Sequence, residues 1–174
     1  MPYRDHDNPE IQRPASNTFI VSSVLAALFL NGLPWEGVWL MLRPDFVALV
    51  LLYWCMHKPL RVGIGLSWAV GILADVADAS LFGQHALAYT LLAFGGVVLH
   101  RRLQMFDLRH QTIQVFGIFV LTYVVYALVH WQVNNYVMWP YFLGCLTSTL
   151  LWAPLSILFQ AMRQMRADQG IVND

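Results

Sequence analysis

The charged residues of this chain gather in short patches, and the runs between them are apolar and long enough to cross a bilayer. A spanning helix needs about 20 predominantly apolar residues. Only 11% of the chain is charged, against about 25% in soluble domains. A soluble fold of this length has no use for several such runs. In hydrocarbon the backbone must bond internally, which leaves helices or closed barrels. The runs fit helices, so the expected fold is all-α: one polytopic membrane domain of six transmembrane helices.

The runs place the spans at about 15–32, 37–56 or 44–56, 62–78, 85–99, 112–131 and 136–162. Residues 1–14 and 163–174 are then polar tails around a membrane domain at 15–162. Ser16 or Asn17 suits the N-cap of the first span. The second span has two readings. Pro44 and Asp45 suit the start of a short helix, whereas a start near Gly37 gives a full span kinked at the proline. Pro154 is expected to kink the sixth span. No cleavable signal pattern opens the chain, so the first span is expected to be retained.

Orientation follows from lysine and arginine. With the N-terminus inside, Arg4, Arg13, Lys58, Arg61, Arg101, Arg102, Arg109, Arg163 and Arg166 are cytoplasmic, and Arg43 alone is outside. The positive-inside rule therefore puts both termini in the cytoplasm. Trp35, Trp39, Trp131 and Trp139 then fall at the outer boundary, and Tyr53 and Trp54 near the inner one.

Within the apolar stretch from Val62 to Leu87 stand Asp75 and Asp78. A carboxylate at the centre of a spanning helix costs roughly 2.5–3.5 kcal/mol on insertion scales. The topology puts both at the outer end of the third span, level with Arg43, Asp45, His85 and His130. Three residues apart, they share a helix face, at a C-terminus whose dipole disfavours acids. Asp45 has a local explanation as a first-turn acid. Asp75 and Asp78 need Arg43, His85 or free amides at the starts of the second or fourth spans, with Arg43 the first choice for Asp75. The cluster reads as an internal clamp, as a site for a partner or small ligand, or as a relay. A relay normally spreads its acids over several depths, and these form one layer.

Several function classes have no support. A net charge of zero offers no field for nucleic acid. Cys55 and Cys145 lie apart in apolar runs and read as small fillers. There is no nucleophile elbow, phosphate-binding loop or zinc spacing, so neither an enzyme nor a cofactor is expected. Gly63, Gly65, Gly71, Gly95 and Gly96 allow close helix approach. Arg101, Arg102 and Arg109 read as a topology anchor, and Ser148 and Thr149 as ordinary span residues.

Three stretches resemble the rod-shape-determining MreD family. They are RPDFVALVLLYW from Arg43 to Trp54, PLRVGIG from Pro59 to Gly65, and the series Gly71, Asp75, Gly83, Ala86, Leu87. The likeness covers roughly residues 15–165, and Pro44, Gly71, Asp75 and Gly83 carry its motif. It implies a non-enzymatic protein of the bacterial inner membrane, in the machinery of lateral wall growth. The implied partners are MreC directly, and MreB, RodA and its transpeptidase partner in the same complex, with membrane lipid around them. The family is also similar in architecture to the substrate-binding subunits of energy-coupling-factor transporters. A transport subunit is therefore the alternative, expected to show an outward cavity lined by Asp75, Asp78 and Arg43. A scaffold would show them paired and closed.

Overall fold

The structure is a computed structural model that describes residues 17–105, 108–134 and 140–172. The expected tail at 1–14, Ser16, Trp139 and the expected start of the sixth span at Tyr136 lie outside these residues. So do the side chains of Arg101, Arg102, Arg109, Arg163 and Arg166.

Among the described residues every regular element is helical: α1 (Asn17–Asn31), α2 (Val38–Met41), α3 (Phe46–His57), α4 (Ile64–Ala77), α5 (Gln84–Met105), α6 (Leu108–Asn134) and α7 (Pro140–Val172). Three segments are long and apolar enough to cross a membrane: Val38–His57, His110–Gln132 and Phe142–Met162. Asn17–Asn31 and Ile64–Ala77 are shorter apolar helices.

The second expected span is interrupted. Pro44 has no N–H to donate and fixes its own φ, so the single turn α2 stops and the chain restarts at α3. Asp45 is the N-cap: its Oδ1 accepts the Ala48 N–H at 2.9 Å. Both expected starts are thus present, joined by a break at 42–45. Helix also runs on where a connector was expected, since α5 reaches Met105 and α6 begins at Leu108. Arg, Leu, Gln and Met are good helix formers, and polarity does not end a helix that lacks Gly or Pro. Helix α7 also continues to Val172, through most of the segment read as a tail and past Gly170, with Pro154 inside it.

Helix α3 is the centre of the bundle. Val47 to Met56 are all buried, so it has no exposed face, as a helix apolar all round requires. Helix α1 covers one side with a stripe of Phe19, Ile20, Ser23, Val24, Ala27 and Asn31 at helical spacing. Tyr53 and Trp54 are fully buried in this core. Phe19 meets the Trp54 ring edge-on at 5.6 Å, and Phe159 stands 4.8 Å from Tyr53. The buried indole still needs an acceptor, and Trp54 Nε1 donates to Ser23 Oγ at 2.9 Å.

Helices α4 and α5 pack most closely. A Cβ on Gly71 would lie 2.5 Å from Ala86 Cα and 2.7 Å from its N, so only glycine fits this contact. That approach brings the end of α4 against the start of α5, which is where the acids stand.

Candidate functional site at the polar end of the bundle

Asp75 lies in the last turn of α4, but its carboxylate belongs to the start of α5. Oδ2 accepts the Gly83 N–H and Oδ1 the His85 N–H, each at 2.8 Å. His85 Nδ1 lies 2.9 Å from Oδ1, and Ser80 Oγ donates to Oδ1 at 3.1 Å. The first amides of a helix have no partner within it. Asp75 supplies one from the preceding helix, and the positive end of α5 offsets the unfavourable end of α4. Its side chain is fully buried.

The intervening turn makes this reach possible. Ser80 N–H bonds back to Asp75 O at 3.1 Å, with Ala79 at φ 48, the pattern of a Schellman cap. Gly83 at φ 98 then turns its N–H toward Asp75.

Arg43 is engaged elsewhere. Its Nη2 stands 2.7 Å from Asp78 Oδ2, joining the break before α3 to the C-cap of α4. The expected Asp75–Arg43 pair is therefore corrected to Arg43–Asp78, with Asp75 held by α5. Asp75 is turned toward Ala86 by the Gly71 contact, which leaves Asp78, one turn further out, to meet the guanidinium. His85 stands between the two acids, its Nε2 3.8 Å from Asp78 Oδ2.

Asp45 does more than cap its own helix. Besides Ala48 N–H, its carboxylate accepts Asn31 Nδ2 at 3.2 Å, the Tyr89 hydroxyl at 2.9 and 3.1 Å, and the Tyr126 hydroxyl at 2.8 Å. Asn31 Oδ1 accepts the Phe46 N–H in return. The Asp45 N–H donates to Ser148 Oγ at 3.0 Å, and Tyr123 OH lies 3.2 Å from that same oxygen. Ser148, read from sequence as an ordinary span residue, is part of this network. One carboxylate thus ties α1, α3, α5 and α6 together, and its backbone adds α7. Nothing local in the sequence marks Asn31, Tyr89, Tyr126 or Ser148; polar residues on apolar helices are the one available hint.

Arg43, Asp45, Asp78, His85 and His130 all line one cavity of about 580 Å³. Asp75 does not line it. The transport-subunit expectation of a cavity walled by Asp75, Asp78 and Arg43 is met only in part, since the latter two are paired and Asp75 is sealed behind His85. Among the described residues no group of His, Cys, Asp or Glu could hold a metal.

Apolar helices, with Asp45 and Asp78 lining one cavity, define a helical membrane protein. The chain belongs to the MreD family: the model for the rod shape-determining protein MreD matches residues 12–162. It is similar to the rod shape-determining protein MreD of Haemophilus influenzae, 30% identical over 149 residues that cover 83% of this chain and 90% of the relative. No solved structure matches the chain. The protein has a role in rod shape determination.

Proposed function

We propose that this protein is a non-enzymatic scaffold of the bacterial inner membrane, six spans with both termini cytoplasmic, that docks MreC within the bilayer during lateral wall growth. MreB, RodA and its transpeptidase partner stand in the same complex. The observation that carries the scaffold reading is that Asp45, Asp75 and Asp78 are all held by donors of this same chain. Such a network rigidifies the bundle. What the rigid bundle offers outward is apolar helix surface: Val21, Leu25 and Phe29 on α1, Leu121 and Leu128 on α6, Leu146 and Leu150 on α7 are all exposed. Orientation rests on the distribution of Lys and Arg, and the partners rest on the family.

Photoreactive residues placed singly at Phe29, Leu128 and Leu150 test this in intact membranes. MreC should crosslink from one of these faces and not from all three. Absence of an MreC crosslink at every exposed apolar position along the bundle would refute direct docking.

A further inference from the structure

The lining of the cavity at the polar end is of two kinds. Arg43 and Asp78 are paired at 2.7 Å and still 21% and 17% exposed. Leu40, Met41 and Leu81 supply apolar lining. Among the described residues the pair uses one nitrogen of Arg43 and one oxygen of Asp78. A guanidinium has five N–H donors and a carboxylate about four acceptor sites, so both ends keep bonding capacity. Asp45, which also lines the cavity, is already occupied by Ala48, Asn31, Tyr89 and Tyr126.

This charge pattern selects its ligand. A simple anion attracted by Arg43 would be repelled by Asp78 and Asp45. A simple cation drawn to Asp78 would meet Arg43 beside it. A molecule with both charges a few bonds apart can satisfy the two ends together. The apolar lining adds a second requirement. The turn α2 that supplies Leu40 and Met41 also presents Val38 and Trp39 at 67% and 70% exposure, and Phe82 next to Leu81 is 76% exposed. An acyl chain leaving the cavity has this surface to lie against, whereas a water-soluble zwitterion gains nothing from it.

We propose that this cavity seats the headgroup of a zwitterionic phospholipid, its phosphate on the Arg43 guanidinium and its ammonium on the Asp78 carboxylate. Arg suits phosphate by its planar fork of donors. A primary ammonium donates N–H bonds to Asp78 and a quaternary one cannot, so ethanolamine is preferred to choline. The proposal is independent of the docking of MreC.

The test is native mass spectrometry of the purified full chain in detergent, titrated with phosphatidylethanolamine, phosphatidylcholine and phosphatidylglycerol. Phosphatidylethanolamine should bind about tenfold more tightly than either, the equivalent of one charge-assisted hydrogen bond. Soluble glycerophosphoethanolamine at the same concentration should not displace it. Arg43→Gln and Asp78→Asn should each abolish the preference. Because those changes touch the fold, Leu81→Trp is the companion variant: it fills the cavity from its apolar lining and leaves the pair intact. It should lose phosphatidylethanolamine while its thermal unfolding in lipid-free detergent is unchanged. Equal binding of the three lipids, or undiminished binding by Leu81→Trp, would overturn the proposal. So would tight binding of the soluble headgroup, which would mark a site for free zwitterions.

Discussion

The Tyr126 hydroxyl donates to Asp45 Oδ2 at 2.8 Å, across 81 residues of sequence. Tyr89 donates to the same carboxylate from another helix. Asp45 is buried, so each of these bonds is worth more than its surface counterpart.

Tyr126→Phe should therefore cost about 1.5–3 kcal/mol, the range for a hydrogen bond to a charged group. Asp45→Ala should cost more, above about 3 kcal/mol, since it strands the Ala48 amide, Asn31 and two tyrosine hydroxyls, each of which costs about 1–3 kcal/mol when buried without a partner. Thermal unfolding of the purified variants in one detergent checks the order. A negligible loss for Tyr126→Phe beside a loss of only about 0.5–2 kcal/mol for Asp45→Ala would mean that Asp45 acts only as a helix cap.

Arg43 and Asp78 form one pair, and Asp75 forms another with the start of α5. In a double-mutant cycle Arg43→Ala and Asp78→Ala should couple by about 0.5–3 kcal/mol. Arg43→Ala and Asp75→Ala should come closer to simple addition, since His85, 2.9 Å from Asp75 and 3.8 Å from Asp78, stands between the two acids. If Asp75 couples to Arg43 more strongly than Asp78 does, the pairing is assigned to the wrong acid.

Gly71→Ala would push a methyl to within 2.5 Å of the Ala86 backbone. Overpacking of this kind costs about 1–3 kcal/mol, and backbone cannot swing aside as a side chain can. Gly65, on the same helix, has nothing within 4 Å of an added Cβ. Gly65→Ala should be neutral, or stabilising by about 0.5–1 kcal/mol through lower chain entropy. The contrast in melting temperature separates the contact from any general intolerance of α4.

Ala79 holds φ 48, a region that disfavours residues with a Cβ by about 1–2 kcal/mol. Ala79→Gly should raise the melting temperature. A fall would show that the methyl makes a contact worth more than the strain.

The proposed orientation is checked by reporters. One fused after Met162 should read cytoplasmic, and one inserted near Asn134 should read external. The reverse at either position would refute two cytoplasmic termini.

Membrane class, helical fold class and a kink or start at Pro44 and Asp45 were legible in the sequence because each is local. Apolar run length decides the first two, and Pro44 followed by Asp45 decides the third. That Asp75 and Asp78 needed partners was legible too, since the cost of a bare carboxylate does not depend on the fold. The choice of partner was not. Residues three apart on a helix differ by about 60° in direction and 4.5 Å in height, and the rotation of α4 about its axis settles which one meets Arg43. Packing sets that rotation, through the contact of Gly71 with Ala86. Asp45 shows the same limit. Its capping bond to Ala48 spans three residues, but Asn31, Tyr89 and Tyr126 reach it only because α1, α5 and α6 turn those faces toward the start of α3. Helix propensity and hydropathy carry no record of which faces meet; tertiary packing alone brings these distant polar groups onto one carboxylate.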